Sequence, residues 1–175
     1  TQGVSVMKIK DMCLCALFAV LIGIGAFIKV PVSIVPITLQ TLFVILASLI
    51  LRQKAIYSVL LYVCMGLIGL PVFTSGGGIS YVLIPSFGYL IGFIISSWFV
   101  GRYQNTNHIS LFLRSCIGLA MIYIIGMLYF IFIQYVYYGQ VFSISWIFTS
   151  LCLVYLPGDL LSILFKTNSN KIVFF

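Results

Sequence analysis

Carboxylates are scarce in this sequence, and Asp159 is the one that lies inside an apolar stretch. The chain has only two acidic residues, and 63% of its residues are hydrophobic. A carboxylate near hydrocarbon is costly unless it is paired or hydrogen-bonded, so an intramembrane acid is by default a candidate functional group. The preceding Pro157 and Gly158 also allow Asp159 to cap the start of a helix. The two roles are compatible, because a capping aspartate can also face a ligand cavity.

Further candidates come from polar and flexible residues earlier in the chain. Gln40 follows a proline-containing connection, where its side chain can satisfy backbone groups or point into a cavity. The segment Gly76, Gly77 and Gly78 has a freely rotating backbone, and it does not fit a phosphate-binding loop. It is either a plain flexible loop or a loop that closes over a ligand. Tyr81 and Tyr89 flank the entry to a helix, where membrane anchoring is the alternative to ligand contact.

Metal binding and hydrolysis are disfavoured by what the chain lacks. His108 is the only histidine, and the five cysteines show no C-x-x-C spacing. Such a set does not assemble a metal site. Serines are plentiful, but the acid and base partners that would activate one are scarce.

The elements that position these residues are expected to be membrane-spanning helices in a single domain, residues 1–175. Only 6% of residues are charged, and several apolar runs approach or exceed the roughly 18 to 20 residues that cross a bilayer. Five apolar segments are predicted as helices, at about Met12–Ile28, Ile37–Leu51, Ala55–Leu70, Tyr81–Val100 and Ile109–Val136. A sixth is expected to begin at Gly158 or Asp159, although a single span over Ile144–Phe165 gives the same number. The fold class is therefore an all-α integral membrane protein with six transmembrane helices.

The distribution of cations predicts the orientation. With the N-terminus in the cytoplasm, Lys29 is the only one of nine cations on the outer side, as the positive-inside rule requires. The other cations fall on the inner side: Lys8, Lys10, Arg52, Lys54, Arg102, Arg114, Lys166 and Lys171. Both termini are thus predicted to be cytoplasmic, and the glycine loop and Asp159 share the outer face. The same scatter explains the net charge of +7 without nucleic acid, which needs a continuous basic patch.

Small residues recur at every fourth position of the first helix, namely Cys15, Ala19 and Gly23. Such a stripe lets another helix approach closely. Packing inside the bundle and docking of a separate subunit are both compatible with it.

Four segments together resemble the BioY family, the biotin-binding substrate-specificity (S) subunits of energy-coupling factor (ECF) vitamin transporters. They are Val35–Val44, with the sequence VPITLQTLFV, then Gly69–Phe73 with the glycines after it, Pro85–Phe93, and Leu156–Leu160. The resemblance implies a six-helix subunit of a bacterial cytoplasmic membrane with an outward-facing site for biotin. It implies that Asp159 hydrogen-bonds the ureido ring, and that the loop containing Phe73 and the three glycines lines or covers the pocket. The first-helix stripe resembles the family's docking surface for a membrane-embedded coupling subunit, which works with ATPase subunits.

The chain departs from the family pattern at two points. Ser162 stands three residues after Asp159, where the family has a lysine, and Pro85 and Ser86 replace other polar groups at the entry to the fourth helix. The function expected from the resemblance is biotin capture, with no enzymatic activity and no cofactor. A self-sufficient facilitator or channel, or an intramembrane enzyme using Asp159, are the alternatives from other classes.

Overall fold

Helices dominate the computed structural model, which describes residues 8–30, 37–102 and 108–139. Five α-helices are present in this part of the chain: α1 (Ile9–Phe27), α2 (Gln40–Leu51), α3 (Ala55–Ile68), α4 (Phe87–Arg102) and α5 (His108–Val136). Short 3-10 helices cover Arg52–Lys54 and Ile79–Leu83. The five helices confirm the five predicted before residue 140. The expected sixth helix, Asp159 and Ser162 lie outside the described residues.

Two helices begin later than the sequence predicts. Before α2, the two-residue strands β1 (Lys29–Val30) and β2 (Ile37–Thr38) form an antiparallel ribbon, which pairs Lys29 with Thr38. The predicted all-α fold thus has one exception in the described chain, this short two-stranded ribbon. Before α4, Ile84 is extended, with φ −83° and ψ 134°, because proline disfavours the helical conformation in the residue before it. Tyr81 therefore lies in the 3-10 segment rather than in α4.

Within the described residues, three helical stretches are long and apolar enough to cross a membrane: Ile9–Phe27, Gln40–Ile68 and Ser110–Val136. The middle stretch is not one straight helix. A straight helix would separate Gln40 from Tyr62 by about 33 Å, yet their side chains are hydrogen-bonded at 2.5 Å. The chain reverses at Arg52, the only described non-glycine residue with positive φ (54°). Consequently α2 and α3 form an antiparallel hairpin.

Contacts between helices define two ends of the bundle. At one end, the start of α1 meets the start of α3 through an ion pair between Asp11 and Lys54. The end of α4 lies there too, because a Cβ on Gly101 would be 2.3 Å from the Arg52 carbonyl oxygen. We call this end, which carries Lys8, Lys10, Arg52, Lys54 and Arg102, the cation end. The opposite end, where α1 finishes and α2 and α4 begin, is the cavity end.

The small-residue stripe on α1 packs inside the bundle. Cys15 and Ala19 are 5% and 0% exposed, and the Cys15 carbonyl accepts a hydrogen bond from Ser58 on α3. A Cβ on Gly23 would lie 3.8 Å from the ring of Tyr62. These contacts show the stripe packed inside the bundle against α3, and docking of a separate subunit at Cys15, Ala19 and Gly23 stays a prediction.

Glycines also bring α4 and α5 into close antiparallel contact. A Cβ on Gly88 would be 2.3 Å from the Tyr129 Cβ, and one on Gly92 would be 2.9 Å from the Ile122 Cα. The outer faces are apolar: Leu128 and Phe132 of α5 are 62% and 59% exposed. Together with the long apolar helices, these lipid-compatible faces identify a membrane protein.

Candidate ligand-binding site

A cavity opens at the cavity end, between the starts of α2 and α4 and the middle of α5. The space between its lining residues is about 450 Å³, with open solvent at the mouth included. The lining combines hydroxyl and amide groups with apolar and aromatic side chains: Thr38, Gln40, Thr41, Thr74, Tyr81, Ser86, Tyr89, Leu90, Phe93 and Tyr123. Among the predicted ligand-binding residues, Gln40, Tyr81 and Tyr89 are thus brought together.

Gln40 is held in place by a chain of hydrogen bonds that ends on the backbone. Its Nε2 donates to the Tyr62 hydroxyl at 2.5 Å, and that hydroxyl donates to the Val72 carbonyl at 3.1 Å. The Thr38 hydroxyl donates to Gln40 Oε1 at 3.2 Å. Because Gln40 is 4% exposed and Tyr62 is fully buried, these polar groups need such partners. The network fixes which face of the amide is turned toward the cavity.

Tyr62 was not identified as a site residue from the sequence. The structure buries it between α1, α2 and the loop after α3. One signal was available in the sequence. Tyr62 lies on the same helical face as Ser58, four residues earlier, and a polar residue on that face indicates an interior partner.

A second hydrogen-bonded set lines the opposite part of the cavity. The Tyr81 hydroxyl lies 2.7 Å from the Thr74 hydroxyl and 3.0 Å from that of Ser86. Tyr81 is 3% exposed, so this tyrosine belongs to the core rather than to a membrane interface. The three hydroxyls can exchange donor and acceptor roles, because each carries one hydrogen and two lone pairs.

Phe73 lies beside the cavity lining and supports it. Its ring makes an edge contact with Tyr62 at 5.5 Å and a tilted contact with Tyr81 at 4.5 Å. Gly66 makes room for it, since a Cβ there would be 2.1 Å from the Phe73 ring. Phe73 therefore joins the two hydrogen-bonded sets, although it is not among the residues that line the cavity.

The three glycines shape the loop and do not line the cavity. Gly76 and Gly78 have φ of +114° and +107°, a conformation that side chains disfavour. A Cβ on Gly77 would be 2.1 Å from the Leu70 carbonyl oxygen, and the Gly78 N–H donates to the Gly66 carbonyl at 2.7 Å. The loop is thus packed on the C-terminal end of α3, and its contribution to the lining is Thr74.

The far wall of the cavity is aromatic and apolar. Tyr89 packs against the α5 backbone at Gly126, where a Cβ would lie 2.8 Å from its ring. Its ring meets that of Tyr123 edge to face at 6.4 Å. Tyr123 was not anticipated from the sequence, because α5 is apolar on all sides and offers no period that marks its inner face.

The described lining suits binding rather than catalysis. It carries no ionisable acid, histidine or cysteine, and no group of metal-ligating side chains occurs within the described residues. Hydroxyl and amide groups on one side and aromatic rings on the other match a compact ligand with both polar and apolar parts. Asp159 lies outside the described residues, and its role at the site stays a prediction.

Fold and cavity together define a helical membrane protein with a small-molecule site near one end of its bundle. The BioY family model matches residues 2–169, so the chain belongs to the BioY family. A probable biotin transporter BioY of Lysinibacillus sphaericus is 44% identical over 124 residues, which are 68% of this chain but only 63% of that relative. A probable biotin transporter BioY of Pyrococcus horikoshii is 43% identical over 122 residues, 69% of this chain and 74% of the relative.

A solved structure has the same fold. The crystal structure of the S-component for biotin from an ECF-type ABC transporter superposes with a TM-score of 0.76, covering 93% of this chain and 91% of that one. The sequence identity is 24%, so this likeness concerns the fold.

Proposed function

We propose that this protein captures biotin and takes part in its uptake as the S subunit of an ECF-type importer. The observation that carries the proposal is the cavity lined by Gln40, Tyr81 and Tyr89, of which Gln40 and Tyr89 lie in the segments that resemble BioY. Relatives named as biotin transporters support the substrate. Transport, not catalysis, is the activity, with biotin as ligand and no cofactor.

The ligand's chemistry fits the two kinds of wall. Biotin has a cyclic urea with two N–H donors and a carbonyl acceptor, a thioether ring and a carboxylate chain. Asp159 is the proposed acceptor for the urea N–H groups, because hydrogen bonds to a carboxylate are the stronger kind. The Gln40 amide and the hydroxyls of Thr74, Tyr81 and Ser86 supply neutral donors and acceptors. The Tyr89 and Tyr123 rings provide apolar contact for the thioether ring.

Biotin titration of the purified protein in detergent, followed by calorimetry, tests the substrate. We expect one biotin per chain. Lipoate is the matched control ligand, because it has the same pentanoate chain but no urea, and we expect it to bind far more weakly. No detectable heat at micromolar biotin would contradict the substrate while leaving the fold intact.

The proposal extends to topology and partners. In the proposed topology, the chain crosses the cytoplasmic membrane six times and both termini are in the cytoplasm. The cavity end is then on the outer side, where an importer meets its ligand. Concentrative uptake then depends on a membrane-embedded coupling subunit and ATPase subunits, since the chain contains no nucleotide-binding motif.

Cysteine labelling tests the orientation. A cysteine introduced at Asn105, in a cysteine-free background, should react with an impermeant thiol reagent only after the cells are opened. A cysteine at Ser75, in the loop at the cavity end, is the control and should react in intact cells. The reverse pattern would contradict the orientation.

A further inference from the structure

Lys29 lies at the rim of the cavity and is attached to it at two points. Its backbone pairs with Thr38 in the ribbon, and its Nζ donates to the Thr74 carbonyl at 2.5 Å. Both Thr38 and Thr74 line the cavity. The ammonium group is thereby held beside the mouth, where Lys29 is exposed to solvent.

Lys29 is also isolated from the other charges of the described chain. Among the described lysines and arginines it alone belongs to the cavity end. Lys8, Lys10, Arg52, Lys54 and Arg102 surround the cation end, and Arg114 lies two turns into α5 from that same end. The one described acid, Asp11, is at the cation end as well and is paired with Lys54. Within the described residues, the cavity mouth therefore has a single positive charge, and its hydrogen-bond partner is the neutral Thr74 carbonyl.

We propose that Lys29 binds the carboxylate of the ligand at the cavity rim and so selects the anionic form of the molecule. The inference rests on the proposed function, since it assigns one part of the biotin molecule to one residue. An ammonium group has three donor hydrogens, so the bond to Thr74 leaves two for an anion. The neutral amide and hydroxyl groups hold the polar ring deeper in the cavity, and the charged end of the chain remains at the exposed mouth.

Comparison of an anionic with a neutral ligand separates this role from general stabilisation. The wild type should bind biotin more tightly than biotinamide, whose chain ends in an uncharged amide. Lys29→Met should lower biotin affinity about three- to tenfold, as expected for a partly exposed charged hydrogen bond, and leave biotinamide affinity unchanged. Lys29→Arg should keep most of the preference, because the charge is retained.

Controls and ionic strength sharpen the measurement. Lys8→Met removes an exposed cation at the other end and should change neither affinity. Raising the salt concentration should weaken biotin binding to the wild type more than to Lys29→Met, because a rim charge acts through screened electrostatics.

Two outcomes would overturn the inference. Equal binding of biotin and biotinamide by the wild type would show that no charge recognises the carboxylate. An equal loss for both ligands in Lys29→Met would show that Lys29 supports the loop or pairs with Asp159 instead. In both cases biotin still binds, so the proposed function stands; failure of the proposed function would instead appear as absence of binding by the wild type.

Discussion

The two ends of the bundle are built from different interactions. At the cation end, charged side chains surround one ion pair, between Asp11 and Lys54, and Arg102 lies over the Trp98 ring at 5.0 Å. At the cavity end, buried amide and hydroxyl groups bond to one another and to backbone carbonyls, as Gln40 and Tyr62 do. The first end has groups that hold a helix at a membrane surface. The second has groups that must find partners because they are shielded from water.

This difference determines how sensitive each end is to substitution. Exposed ion pairs contribute about 0 to 1 kcal/mol, because solvent screens them. Leaving a buried polar group without its partner lowers stability by about 1 to 3 kcal/mol. Removing a buried aromatic ring lowers it further. Substitutions at the cavity end are thus expected to have larger effects on stability and binding than those at the cation end.

Phe73→Ala should have the largest effect. The ring is 2% exposed and contacts both Tyr62 and Tyr81, so its removal leaves a cavity at the junction of the two hydrogen-bonded sets. We expect a loss of about 3 to 5 kcal/mol in the free energy of unfolding, measured by denaturant unfolding in detergent. Phe132→Ala is the matched control, because Phe132 is 59% exposed on α5. Equal losses in the two variants would remove the contrast between buried and lipid-facing rings.

Asp159→Asn should weaken biotin binding by about 10- to 100-fold, or about 1.5 to 3 kcal/mol. The amide keeps the volume but loses the charge, and its NH2 group can face the N–H groups of the urea. Calorimetry with biotin measures the change, and unfolding of the same sample checks that the fold is kept. Asparagine caps helices about as well as aspartate, so unchanged affinity would leave Asp159 only the capping role.

Tyr62→Phe should lower biotin affinity by about fivefold and lower the free energy of unfolding by about 1 kcal/mol. The ring is retained, but Gln40 Nε2 and the Val72 carbonyl lose their shared partner, so the amide is free to rotate. Tyr57→Phe on the same helix is the control, because Tyr57 is 54% exposed. If Tyr62→Phe binds biotin as the wild type does, then the orientation of Gln40 does not depend on this network.

The helices of the described chain were predictable because their signals are local. Apolar length, prolines and short charged turns marked α1 to α5. In the structure α1 begins earlier than predicted, at Ile9, and α2 and α4 begin later. The two late starts have different causes. The ribbon before α2 depends on the pairing of β1 with β2, whereas the extended Ile84 before α4 depends on Pro85. Both lie at the cavity end.

The site was only partly predictable, because its pieces meet through tertiary packing. Gln40, Tyr81 and Tyr89 were identified through polarity and resemblance, and they line the cavity. Tyr62 and Tyr123 were not, since a tyrosine in an apolar helix has the same local sequence whether it faces lipid, a membrane interface or the interior. The α1 stripe shows the same ambiguity: small residues indicate close approach of a helix but not which helix approaches.

Asp11→Asn should have the smallest effect of the four substitutions and thereby completes the comparison. It removes the charge that pairs with Lys54 but leaves the α1–α3 contact through Cys15 and Ser58 in place. Lys54 is 42% exposed in its side chain, so water can solvate the ammonium once the pair is lost. We expect only a small loss in the free energy of unfolding, because solvent screens the pair, a still smaller one at high salt, and no change in biotin affinity. A loss of biotin affinity comparable with that of Asp159→Asn would mean that the ends are energetically coupled through α1 and α3, and that the cavity end cannot be treated as a separate unit.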